Sequence, residues 1–126
     1  MSTELELEQR RRYYVMKRSV LFDREKIRDT SAHYPRLLIS LADADAWGFE
    51  VKNYHNQEAT AELIGGGVNN PAAAGLLGSS ATIAANTREP IATDIWFPWL
   101  GLRVTYATVP TTGELEVTGW VQEVRR

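Results

Sequence analysis

A chain of 126 residues with no cysteine has to hold a single domain together by packing and hydrogen bonding, and disulfides, zinc–thiolate centres and thiol catalysis are excluded. Apolar residues at 44% and charged residues at 24% are ordinary for a globular domain, which sets aside intrinsic disorder and a membrane class. The net charge of −2 hides an asymmetry: residues 1–28 carry eight bases against five acids, the remainder six against eleven, so a +3 N-terminal part faces a −5 body.

Taken in chain order, residues 3–18 read as a helix. Thr3 with Glu6 fits a capping box, Glu4, Glu6 and Glu8 sit where a helix N-terminus favours acids, and Arg10, Arg11, Arg12, Lys17 and Arg18 lie towards its C-terminus. Against this, Leu5 and Leu7 alternate at strand period, so helix and strand both stay open for an N-terminal arm of residues 1–18. The same stretch lacks the apolar core of a secretory signal, and no run approaches the ~18 apolar residues of a membrane span. The expectation is synthesis in the cytoplasm, without membrane insertion.

From residue 19 the period is two. Trp47, Phe49 and Val51 alternate with Gly48, Glu50 and Lys52, which turns one face inward and one to water. Ala59, Ala61 and Leu63 repeat the pattern within residues 57–64. Further strands are expected at 19–22, 36–41, 80–84, 91–96, 101–109 and 114–124, separated by turn formers at 53–56 and 110–113. About eight strands at this spacing predict an all-β, antiparallel sandwich, a jelly roll, over residues 19–126. The stretch IGGGVNNPAAAGLLGSSAT, residues 64–82, reads as a long loop with one helical turn after Pro71.

Candidate chemistry fails for want of partners. Gly65, Gly66 and Gly67 lack the Lys-Ser/Thr of a phosphate loop. His33 and His55, each beside a tyrosine, read as surface or turn histidines and make an incomplete metal site. Ser79 and Ser80 lack the frame of a nucleophile elbow. Asp43 and Asp45 offer too few oxygens for calcium and read as a hairpin tip. No catalytic residue, metal or cofactor is expected. Arg10, Arg11 and Arg12 followed by Tyr13 and Tyr14 have the look of a nucleic-acid contact, yet three acids precede them and the chain is acidic, so an arm packed on protein is preferred.

Three of the four tryptophans fall between residues 91 and 123. Leu115, Val117, Gly119 and Val121 share one face of a strand, which puts Trp120 on the other with Glu116, Thr118 and Gln122, unless a bulge at Gly119 turns it inward. Pro98 cannot donate to a ladder, so Trp96, Phe97 and Trp99 straddle a strand break, with at least one ring near the surface. Exposed aromatic area of this kind caps a core or awaits a partner, either another subunit or a sugar. An enzyme would need paired carboxylates here, for which Glu89 and Asp94 are the near neighbours of the aromatic block.

The run VKNYHNQEATAEL, then GSSATIAANTRE, then IATDIWFPWLGLRVTYATVPTTGELEVTGWVQE resembles small jelly-roll structural proteins of phage virions and of spore-appendage filaments. The resemblance covers about residues 47–123 and rests mostly on turn chemistry. It implies a non-enzymatic subunit that assembles with copies of itself, or with other virion or surface proteins, and ends in a virion or on a cell or spore surface. Its N-terminal arm would reach a neighbour, with Arg10, Arg11, Arg12, Tyr13, Tyr14, Trp96, Trp99 and Trp120 at the subunit interface. The alternative is a carbohydrate-binding sandwich using the exposed tryptophans. Appendage subunits of this type rely on cysteine cross-links, which this chain lacks.

Overall fold

A computed structural model describes residues 13–125. Eight strands follow one another: β1 (Tyr13–Glu25), β2 (Ile39–Ser40), β3 (Ala44–Asn53), β4 (Ala59–Gly66), β5 (Gly75–Ile83), β6 (Thr87–Ala92), β7 (Trp99–Tyr106) and β8 (Leu115–Arg125). They form two four-stranded sheets, ordered β1-β8-β3-β6 and β2-β7-β4-β5, in which every pairing is antiparallel. All paired neighbours except β4 and β5 are non-sequential, the strand order of a jelly roll. Among the described residues the single helical element is a 3-10 turn at Pro71–Ala73, within the stretch where one helical turn was expected. Among the described residues no helix is long and apolar enough to cross a membrane.

Alternation explains the core. Phe49 and Val51 of β3, Leu100, Leu102, Val104 and Tyr106 of β7, and Leu115, Val117 and Val121 of β8 all point between the sheets and are nearly inaccessible. Residues of the opposite parity, such as Glu50, Arg103, Glu116 and Thr118, stay at least partly wet. Burying one parity of each strand against the facing sheet is the main stabilising term, at roughly 1.5–3 kcal/mol per large apolar side chain.

One open choice is decided and two expectations need correction. Of the helix and the strand left open for the arm, residues 13–18 take the strand: β1 runs unbroken through Ser19, and Tyr13 through Ser19 pair one by one with Arg125 back to Gly119. The long-range partner in β8 decides a segment whose local capping signals favoured a helix. The rest of that expected helix, with Arg10, Arg11 and Arg12, lies outside the described residues. The long loop is also shorter than expected, because Gly65 and Gly66 finish β4 and β5 already begins at Gly75. Its first and last parts pair with β4 on either side of a register shift opposite Gly78, whose φ of +78° a glycine adopts without strain. Finally, the strand expected at 91–96 lies earlier, at Thr87–Ala92, and residues 93–98 form no ladder.

Candidate interaction surfaces

β1 is the edge strand of its sheet. Its outward parity shows Tyr14 63%, Met16 46% and Val20 37% exposed, with Arg18 between them. Lys17, of inward parity, pairs with Glu123 at 3.0 Å, and that carboxylate is nearly buried. The attraction between N-terminal bases and acidic body is therefore met in part within one chain. Arg36 and Asp23 form a looser exposed pair at 3.8 Å, of the kind that contributes little.

The predicted aromatic residues occupy separate places. Tyr14 and Trp120 share the outer face of the first sheet; the side chain of Tyr13 lies outside the described set. Trp96 sits in the connection 93–98, half exposed, with its indole N–H donated to the Leu41 carbonyl at 3.1 Å. Pro98 accepts from Leu41 N–H at 3.0 Å, and Trp47 donates to the Ile95 carbonyl at 3.2 Å. Such cross-links replace the missing ladder. Trp99 opens β7 opposite Ser40 and Gly66 and lines a cleft with Lys17, Ser40, Asp43 and Glu123.

Trp120 keeps the outward parity that alternation assigned it, and the register through Gly119 is unbroken. It is not bare. The indole leans over Gly48, the residue opposite it in β3, where an added Cβ would stand 2.8 Å from Cζ2 and 2.9 Å from Cε2. The ring fills the space that a side chain would otherwise take, and it lines an open groove of about 560 Å³.

The most constrained polar site lies at residues 53–55, which were read only as turn formers. Asn53 is fully buried at the end of β3; its amide faces the carbonyls of Gln57, Ile83 and Ala84 at 2.9–3.2 Å. Its oxygen accepts from the Tyr106 hydroxyl at 2.8 Å and from the His55 N–H at 3.3 Å. Burial pushes the Tyr106 phenol well above its ordinary range. His55 was expected as a surface or turn histidine; it lies in the turn and is fully buried, edge-on to Tyr106. Its Nε2 accepts from Ile27 N–H at 3.4 Å, which leaves Nδ1 to donate to the Thr112 carbonyl at 3.0 Å. Arg28, 3.3 Å from Nδ1, donates instead to the carbonyls of Ile27 and Gly113. Burial first, and the Arg28 charge next, hold His55 below the usual histidine range despite the opposing Thr112 carbonyl. His33 is half buried and meets Asp29 at 2.6 Å; that hydrogen bond, then one from Ser31, lowers the Asp29 carboxyl. Among the described residues no three His, Asp or Glu side chains gather as a metal site would require.

No family model matches the sequence, and no curated relative matches it. Among solved structures, the chain is similar to one described as part of Bacillus endospore appendages that form a family of disulfide-linked pili, with a TM-score of 0.52 at 11% identity over 87% of this chain and 88% of that one. A chain of infectious bursal disease virus, Gx strain, has a TM-score of 0.45 at 10% identity, over 88% of this chain and 32% of the viral one. The first likeness spans nearly the whole of both chains and places the fold among jelly rolls.

Proposed function

We propose that the protein is a non-enzymatic structural subunit that self-assembles into a filament or a virion particle, its N-terminal segment contacting a neighbouring copy. The observation that carries this reading is the near end-to-end likeness to a subunit of a pilus-like appendage. The N-terminal segment is residues 1–12, because Tyr13 already belongs to β1. It leaves from an edge strand, well placed to lie on a neighbouring body instead of its own. Tyr14 at that point of departure and Trp96 on the connection 93–98 supply exposed aromatic area for contacts between copies. Without cysteine, cohesion rests on packing, strand pairing and charge.

Deletion of residues 1–12 tests this. Light scattering and electron micrographs should show assemblies for the whole chain and dispersed, folded subunits for the shortened one, with little change in Tm. Assemblies of unchanged size after the deletion would remove the arm from the account, and a whole chain that stays monomeric at high concentration would remove assembly itself.

A further inference from the structure

We infer that the outer face of the first sheet is an oligosaccharide-binding site, with Trp120 as its stacking platform. This goes beyond the assembly reading and does not depend on it. The groove of about 560 Å³ is lined by Arg18 of β1, Glu50 and Lys52 of β3, Pro90 of β6, and Thr118, Trp120 and Gln122 of β8. That size falls within the roughly 300–1,000 Å³ usual for small-ligand sites. Two features set its chemistry.

The first is the ring. Gly48 lets the indole lean across β3, so the ring packs over the strand and does not stand out from it. Pyranose C–H groups carry a small positive charge and meet the negative face of an indole, a contact that needs a fixed and accessible ring. The second is the rim. Thr118 and Gln122 each offer both a donor and an acceptor, Glu50 offers acceptors, and Arg18, directly opposite Trp120 in the ladder, offers a fork of donors. Sugar hydroxyls demand this mixture. The core of a protein–protein contact is instead depleted of charge. Lys52 and Glu50 lie 3.7 Å apart and largely offset one another, which leaves Arg18 to favour sugars that carry a carboxylate. Glu50 is the only carboxylate among the described residues of the groove, so a bound glycan meets no acid pair and is held, not cleaved.

The experiment is to screen the full chain on an array of neutral and uronate-bearing oligosaccharides and to titrate the best probe by calorimetry. Saturable binding is expected, strongest for uronate-bearing probes. Trp120→Ala should weaken it by about ten-fold or more, with Trp120→Tyr retaining part. Gly48→Ala displaces the ring without removing any lining side chain, and should weaken binding as well. An array without a saturable partner would overturn the inference, as would affinity unchanged by Trp120→Ala. Loss of assembly in Trp120→Ala without any glycan bound by the parent would give this face to a second copy of the chain.

Discussion

The turn at residues 53–56 and the connection at 93–98 make an instructive pair. By composition the first is polar and the second aromatic, so the first should be wet and the second buried. The molecule does the reverse. Asn53 and His55 are inaccessible, while Trp96 and Phe97 are 51% and 37% exposed. The difference lies in where the backbone hydrogen bonds go. The turn brings together chain ends from β3, β5 and the β7–β8 connection, whose carbonyls point inward and need donors; Asn53 and His55 supply them. The connection ends at Pro98, which cannot donate; its carbonyls at Pro98 and Ile95 are met by Leu41 N–H and the Trp47 indole, and the Trp96 indole ties it back to the Leu41 carbonyl. Burial follows the need for partners more closely than it follows side-chain polarity.

If that account is right, the largest effect comes from Asn53→Asp. The substitution keeps the volume, removes the amide, and sets a carboxylate against the carbonyls of Gln57, Ile83 and Ala84. A loss of about 3 kcal/mol or more is expected, read by denaturant unfolding, because buried acceptors are left unpaired and a charge is desolvated. A loss below about 1 kcal/mol would mean that water reaches the turn and that its burial is incidental.

Next in size is the response to acid. His55 is held neutral when folded, its pKa lowered by burial and by Arg28, while Glu114 acts weakly in the other direction. Between the lowered folded pKa and the ordinary value of 6.5, the unfolded chain binds the proton that the folded chain refuses. Stability from this group is therefore full above about pH 6.5 and is lost as pH falls through that value towards the folded pKa. Thermal melts from pH 7.5 down to 5 should show a falling Tm. His55→Gln should start lower and flatten the dependence over that window. An equal slope in both proteins would place the titrating group elsewhere.

Much of this was legible in the sequence. Eight strands, the sandwich class and the outward parity of Trp120 follow from period-two alternation, because each strand buries one face against a facing sheet. Even the polar interior had a signal: Asn53 shares its parity with Phe49 and Val51, and Glu123 shares its parity with Val117, Gly119 and Val121. A polar residue on the apolar parity of a strand asks for a buried partner. The partners themselves, Tyr106 for Asn53 and Lys17 for Glu123, depend on register between strands far apart in sequence, which alternation does not encode. The same limit explains the helix expected over residues 13–18. Capping and charge placement are local, and pairing with β8 outweighs them. The interface residues proposed on Tyr14, Trp96 and Trp99 follow no such rule, since exposure in one subunit does not name the neighbour.

The smallest effect closes the comparison. Trp96 is the larger ring of the connection, yet it makes a single hydrogen bond, to the Leu41 carbonyl, and keeps half its surface in water. Trp96→Ala should therefore cost the dispersed subunit about 1–2 kcal/mol, the worth of one net hydrogen bond with half a ring of apolar contact. Leu41 also donates its N–H to Pro98, so the connection keeps a second tie after the indole is gone. Chemical denaturation of the variant beside Asn53→Asp puts the two regions on one scale. A cost for Trp96→Ala that approaches that of Asn53→Asp would show that the indole closes the core after all, and that the exposed connection is as structural as the buried turn. A small cost in the subunit together with weakened assembly would instead leave Trp96 as surface held ready for a second copy.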